Sequence, residues 1–198
     1  MDEVKTTLCR ARGLVRSQDG TRIAYERYGD GPPVILVSGA PGAVGGERPL
    51  AGLLARRFSV VAYDRRAAAD CLEREIDDLA ALVDAVGDTD GTATVHGTAS
   101  GGALALAAAA AGVPVGPVSV YEPPYGAEQA DRLGRVHARV LVVDGGASPA
   151  WTRRAARTVA ASVPRGRHRT LTGQTHEVAP HVLAPVLADF YAQEPAGV

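Results

Sequence analysis

The chain has 198 residues, of which 46% are hydrophobic and 22% are charged, and its formal net charge is -1. This balance excludes disordered, collagenous and membrane-spanning proteins and leaves no basic surface for a polyanion, so we expect no nucleic acid and no membrane as partners. At about 150 residues per domain, the length predicts a single domain over residues 1–198.

Two cysteines, Cys9 and Cys71, are too few for a disulfide framework and fit a reducing compartment. The first twelve residues contain Asp2 and Glu3 and no apolar core of the length that a secretory signal needs. We therefore expect a cytoplasmic protein.

The predicted elements begin with a hairpin, because an Asp19-Gly20 turn joins the segments 14–17 and 21–27. Apolar runs and amphipathic stretches then predict strands and helices, and the Gly45-Gly46 pair indicates a turn. In chain order these elements are strands at 34–37 and 59–63, a helix at 73–86, a strand at 93–97, a helix at 100–111, strands at 117–121 and 139–144, and helices at 150–163 and 182–191. Such alternation predicts an α/β fold with a mostly parallel twisted sheet and helices on both faces.

Ligands of such sheets bind beyond the carboxyl ends of the strands, where the most informative segment, residues 96–102, is found. A tight strand-turn-helix needs small residues two positions before and two after its apex, because the helix packs close to the strand. Gly97 and Gly101 meet this need around Ala99. The segment resembles the nucleophile elbow, G-x-S-x-G, of the α/β-hydrolase family.

Further segments extend this resemblance over essentially the whole chain. Residues 38–42, Ser-Gly-Ala-Pro-Gly, are similar to the family's oxyanion loop. Residues 63–66 are similar to its Asp-x-Arg segment, and residues 173–176 to its catalytic histidine loop. The resemblance implies the α/β-hydrolase fold.

The resemblance also implies roles for individual residues. The backbone N–H groups of Ala40 and Ser100 would be the oxyanion donors, with Ser38 at the start of the oxyanion loop. His176 would be the catalytic base. Asp64 either orients the oxyanion loop or caps a turn.

Two acids are candidates for orienting His176. Glu122 follows the strand at 117–121, one of two positions at which the family carries its acid, and Asp144 ends the strand at 139–144. The residue that aligns with the family's more usual acid is Ser148. We favour Glu122, because Asp144 comes too early in its loop.

Ala99 stands where the family has its nucleophilic serine, so an acyl-enzyme cannot form by the usual route. Three interpretations follow: a natural enzyme with non-hydrolytic acid–base chemistry such as cyclisation, elimination or epimerisation, a non-catalytic binding protein, or a serine-to-alanine trapped form of an ester or lactone hydrolase. The expected substrate is a small molecule with a carbonyl or ester group. We expect no cofactor and no metal, because His176, Glu177 and His181 miss the H-E-x-x-H spacing.

The region that relatives use for a lid is short here, because only 17 residues separate Tyr121 from Arg139. This length predicts that the cap domain is absent and that the site is open. Tyr125 and Trp151 are expected to line the pocket mouth and to expose apolar surface, with packing under the helix as an equal alternative for Trp151. We therefore expect a homodimer, or a pocket completed by another protein.

Overall fold

The structure is a computed structural model that describes residues 10–40, 44–66, 71–124 and 130–193. In these parts of the chain, eight strands form one sheet; they are β1 (Arg10–Arg16), β2 (Arg22–Tyr28), β3 (Pro33–Val37), β4 (Ser59–Tyr63), β5 (Ala93–Thr98), β6 (Val115–Tyr121), β7 (Val140–Gly145) and β8 (Gly166–Leu171). Their spatial order is β1-β2-β4-β3-β5-β6-β7-β8. The pairs β1–β2 and β2–β4 are antiparallel, and all other neighbours are parallel. The expected mostly parallel sheet is therefore confirmed.

Helices cover both faces of this sheet, as predicted. They are α1 (Val44–Leu54), α2 (Leu72–Val86), α3 (Ala99–Ala110), α4 (Ala130–Leu133), α5 (Ala150–Ser162) and α6 (Pro180–Ala192). Successive side chains of a strand point to opposite faces, so Val34 and Leu36 of β3 join the core under α1 and α6, whereas Ile35 and Val37 join the core under α2, α3 and α5. Both faces of β3 are thus buried, which explains its continuous apolar sequence.

Helix α1 corrects the predicted turn at Gly45-Gly46, since both glycines lie in its first turn. Glycine lowers helix propensity, and Pro49 inside the helix has no N–H to donate, so the local sequence opposes a helix here. The helix forms because Leu50 and Leu54 are buried in the core that α6 also covers. Tertiary burial therefore outweighs local propensity in this segment.

The connection between β6 and β7 holds one helix, α4, among its described residues. α4 has four residues. No cap domain stands above the sheet in the described part of the chain, as the short connection predicted.

Candidate active site

The turn from β5 into α3 has Ala99 at its apex. Ala99 has φ 45°, in the left-handed region that alanine rarely adopts. Close packing surrounds it, because a Cβ added at Gly97 would lie 2.4 Å from the carbonyl oxygen of Gly101, and one added at Gly101 would lie 2.2 Å from that of Val37. Only glycine fits these two positions, and together they hold the apex at the carboxyl edge of the sheet.

The loop after β3 is fixed by two serine hydroxyls. The Ser38 hydroxyl donates to the carbonyl of Ala40 at 2.8 Å, and the Ser100 hydroxyl donates to the carbonyl of Gly39 at 2.8 Å. The proton of Ser100 is therefore engaged, which leaves this side chain unsuited to replace a nucleophile at Ala99. Its backbone N–H lies in the first turn of α3, where N–H groups have no partner within the helix and point outward.

Arg65 ties this loop to the elbow, a role that the sequence did not indicate. Its Nη1 donates to the carbonyl of Ser38 at 2.8 Å and to the Ser100 hydroxyl at 2.9 Å. Its Nε and Nη2 bind the Glu75 carboxylate, and both side chains of this pair are almost fully buried. Asp64 is exposed, so Arg65 and not Asp64 makes the contact that orients the loop after β3. Glu75 of α2, the carboxylate partner of Arg65, is the feature of the sequence that could have indicated this role.

His176 lies on the loop between β8 and α6 and is paired with Glu122. Its Nδ1 is 2.9 Å from Oε2 of Glu122, and the other carboxylate oxygen accepts a hydrogen bond from the N–H of Gly145 at 2.9 Å. Glu122 is buried and has φ 44°, whereas the His176 side chain is 65% exposed. With Nδ1 engaged, Nε2 is the ring nitrogen left for a substrate.

The structure separates the two candidate acids. Asp144 is fully buried, and its Oδ2 is 2.8 Å from Nε2 of His168. It therefore forms a second His–carboxylate pair, on β7 and β8, that does not include His176. Ser148 is buried and its hydroxyl has no hydrogen-bond partner among the described residues.

The loop that carries His176 is held on both sides. The Tyr121 hydroxyl donates to the carbonyl of Thr175, directly before His176. The N–H of Ala147 donates to the carbonyl of Gln174 at 2.9 Å. Tyr121 thus positions the histidine from the strand that ends beside Glu122, a contact between residues too distant in sequence to be predicted.

The cleft has two lobes that meet at Ala99 and His176. The first, about 500 Å³, is lined mainly by apolar side chains of the segment after β6 and of α5, among them Pro124 and Trp151. Trp151 is 67% exposed at this lobe. Tyr125, the other residue predicted at the pocket mouth, lies outside the described residues.

The second lobe, about 450 Å³, extends between the loop after β3, α1 and the His176 loop. Glu47 of α1 lines it, and the Thr98 hydroxyl donates to Oε1 of Glu47 at 3.4 Å. Burial raises the pKa of the Glu47 carboxyl above its ordinary value, and the Thr98 hydroxyl opposes this effect. The sequence pattern does not indicate Glu47, because the preceding Gly45-Gly46 pair predicts a turn and not a helix.

The described residues contain no group of three or more His, Cys, Asp or Glu side chains placed to hold a metal ion. None of their helices combines the length and the apolarity needed to cross a membrane.

Comparison with known proteins gave structural matches only; no protein-family model and no curated protein matches the sequence. An alpha/beta hydrolase from Sphaerobacter thermophilus DSM 20745 is 35% identical, with a TM-score of 0.83 over 91% of this chain and 100% of the other. An enol-lactonase from Burkholderia xenovorans LB400 is 14% identical, with a TM-score of 0.73 over 91% of this chain and 100% of the other. A carboxylesterase from Bacillus subtilis is 13% identical, with a TM-score of 0.79 over 96% of this chain and 93% of the other. The last two likenesses concern the fold alone.

Proposed function

Since the chain belongs to the α/β-hydrolase family, we propose that it uses the family's site for acid–base catalysis on a carbonyl-containing small molecule, without a covalent intermediate. One observation carries this proposal: the His176–Glu122 pair and the oxyanion loop are assembled around an apex residue, Ala99, whose methyl group has no nucleophilic atom. With a base at His176 and no nucleophile at position 99, the site can transfer protons but cannot form a covalent intermediate through that residue.

The step that this arrangement supports is removal of a proton from the carbon next to a carbonyl. Nε2 of His176 takes the proton, and the bond electrons move to the carbonyl oxygen as an enolate forms. The N–H groups of Ala40 and Ser100 are the proposed donors to that oxygen, and each such donor is worth about 3 kcal/mol in a transition state. Glu122 stabilises the imidazolium. Cyclisation, elimination and epimerisation can all start from this enolate.

Deuterium exchange tests the proposal without knowledge of the natural substrate. A panel of small ketones, esters and lactones is incubated with the protein in D₂O, and incorporation next to the carbonyl is followed by proton NMR. We expect incorporation above background for at least one compound and its loss, by about 100-fold or more, in His176→Ala. Glu122→Gln should behave similarly.

Asp144→Asn is the matched control for the loss of a buried carboxylate, because Asp144 faces His168 and not His176. It should keep most of the exchange activity. Equal incorporation by the unaltered protein and His176→Ala would contradict the proposal. Saturable binding of a panel compound without any exchange would instead favour a non-catalytic binding protein.

A second candidate, the trapped form of an ester or lactone hydrolase, is favoured by the backbone of Ala99. Its φ of 45° is a strained conformation that an elbow nucleophile requires and an alanine does not. In that case Ala99→Ser should react with a fluorophosphonate probe and hydrolyse activated esters, and the further change His176→Ala should abolish both reactions. Absence of labelling in Ala99→Ser would rule this candidate out.

A further inference from the structure

Glu47 is an acid in the cleft that the proposed mechanism does not use. It lies in the first turn of α1, is partly buried, and lines the second lobe together with Ala99 and His176. None of the described Arg, Lys or His side chains lies within ion-pair distance of it. Among the described residues, the long hydrogen bond from Thr98 is the one side-chain hydrogen bond that its carboxylate accepts.

The buried acids in the described part of the chain are paired. Glu75 binds Arg65, Asp78 binds Arg66, and Glu122 binds His176 and the N–H of Gly145. A carboxylate that serves only the fold is expected to have such partners, because burying an unpaired charge is costly. Burial raises the pKa of Glu47, which favours the protonated form that can donate a hydrogen bond.

The lobe around Glu47 also suits a reacting group. Leu50, Val178 and Leu183 give it apolar walls, and Gly39 and Ala40 of the oxyanion loop open onto it. A substrate whose carbonyl lies at that loop can therefore place one substituent toward Glu47 while His176 faces the reacting carbon. Glu47 of α1 and His176 of the loop before α6 thus border one lobe from different elements, and the exposed Glu177 also lines it.

We propose that Glu47 is a second acid–base residue of this site, which protonates the leaving oxygen of a carbonyl substrate that carries a β-oxygen substituent. The inference rests on the proposed function and selects elimination from the reactions named there. His176 takes the α-proton, the C=C bond forms as the bond from the β-carbon to oxygen breaks, and the proton of Glu47 passes to the departing oxygen. Proton exchange with water then restores neutral His176 and protonated Glu47.

The first experiment needs no substrate. The side-chain carboxyl carbons are titrated by NMR, and the Glu47 signal is assigned by its loss in Glu47→Gln. We expect it to titrate at a pH above the ordinary range of a glutamate side chain, because burial raises its pKa. Titration of Glu47 within that ordinary range would overturn the proposal, whatever the protein does with substrates.

The second experiment uses two aryl ethers of butanone, each with its aryloxy group β to the carbonyl. The phenoxy compound has a poor leaving group that needs protonation, and the para-nitrophenoxy compound has a good one that does not. We expect Glu47→Gln to lower kcat/KM about 100-fold for the phenoxy compound and less than about five-fold for the para-nitrophenoxy compound. Asp84→Asn, which removes an exposed acid of α2, is the charge control and should change neither value.

The outcomes separate this inference from the proposed function. Equal losses on both ethers in Glu47→Gln assign a structural role to Glu47 and overturn the inference, while a loss on both in His176→Ala still supports the proposed function. If the unaltered protein catalyses loss of the aryloxy group from neither ether, the assignment to elimination is overturned. The proposed function is then tested separately by the deuterium exchange.

Discussion

Ala99 and Glu122 are the two non-glycine residues with positive φ in the described part of the chain, and both belong to the candidate site. The left-handed conformation costs an ordinary residue about 1–2 kcal/mol. The cost is offset at Glu122 by hydrogen bonds from Gly145 and to Val143, and at Ala99 by the close packing of the elbow. Strain at the ends of β5 and β6 therefore marks the positions where side-chain direction matters most.

Substitution to glycine should have opposite effects on the free energy of unfolding at two positions of α3, Ala99 and Ala103. Ala99→Gly relieves the left-handed conformation and should raise the free energy of unfolding by up to about 1 kcal/mol. Ala103→Gly, in the same helix with ordinary backbone angles, should lower it by about 1 kcal/mol. Urea denaturation measures both. Equal destabilisation by the two changes would show that the apex of the folded protein carries no such strain.

At the scale of elements, Arg65 joins four segments that are distant in sequence. It follows β4, pairs with Glu75 of α2, and hydrogen-bonds the loop after β3 and the start of α3. Because the pair is buried, loss of either partner leaves an uncompensated charge. The loop after β3 and the stability of the fold thus depend on the same ion pair.

Arg65→Ala should therefore lower the free energy of unfolding by about 3–5 kcal/mol and should also lower any exchange activity of the site. Glu75→Gln leaves the guanidinium partly unpaired and should act in the same direction. Arg74→Ala, an exposed position on α2, should stay within about 0.5 kcal/mol of the unaltered protein. Chemical denaturation of the three variants measures these changes in the free energy of unfolding. An Arg65→Ala protein as stable as Arg74→Ala would contradict the role of Arg65 in the buried ion pair.

A second buried connection links β5, β6 and α6. Nδ1 of His96 is 2.8 Å from the Ser119 hydroxyl, which in turn is hydrogen-bonded to the Tyr191 hydroxyl. His96 is fully buried one residue before Gly97 of the elbow, and burial lowers its pKa to about 4. The folded protein therefore holds this histidine neutral.

This histidine makes the stability depend on pH. The unfolded chain binds a proton at His96 near the ordinary pKa of about 6.5, whereas the folded chain resists protonation until about pH 4. The contribution of His96 to the free energy of unfolding is fully present above pH 6.5. It falls progressively as the pH drops from 6.5 to about 4, by about 3 kcal/mol in total. His96→Gln, which does not titrate, should lose less stability between pH 7 and pH 4 than the unaltered protein does.

Denaturation at a series of pH values measures this slope. His137→Gln is the matched control, since His137 is exposed and its replacement should leave the slope unchanged. If His96→Gln and the unaltered protein lose stability in parallel as the pH falls, His96 is not the source of the effect.

At the scale of the whole molecule, the hydrophobic pattern is enough to predict the buried strands β3 to β7, because buried parallel strands read as continuous apolar runs. It does not predict α1, where Gly45, Gly46 and Pro49 oppose a helix and only burial against the sheet and α6 favours one. Because the hydrophobic pattern does not predict α1, it also does not predict that Glu47 lies beside the site. When the structure of a segment depends on tertiary contacts, the positions of its functional side chains cannot be predicted from the local sequence.

The candidate site divides in a similar way. The elbow and the histidine loop are local patterns of small residues and can be found in the sequence. Arg65 reaches Ser38 over 27 positions and Tyr121 reaches Thr175 over 54, and no local pattern records such contacts. The sequence favours Glu122 over Asp144 for orienting His176, and the structure adds that each acid lies at the end of a strand beside a different histidine.

The expected homodimer is a prediction for the whole molecule that remains to be tested. Without a cap, the apolar lobe opens beside Trp151, which is 67% exposed and is the only tryptophan of the chain. Association through this face would bury apolar surface that a cap would otherwise cover. Light scattering after size exclusion should then give twice the mass of one chain at micromolar concentration, and the tryptophan emission should shift to longer wavelength on dilution.

Trp151→Arg places a charge in this face and should give a monomer with unchanged far-ultraviolet circular dichroism. Leu14→Arg is the matched control, because Leu14 is also exposed, at 48%, but lies on the edge strand β1 at the far end of the sheet from β8. It should leave the dimer intact. A monomer at every concentration, or a Trp151→Arg protein that still dimerises, would show that this face does not join two copies, because a charge buried without a partner in an apolar contact costs more than such a contact supplies.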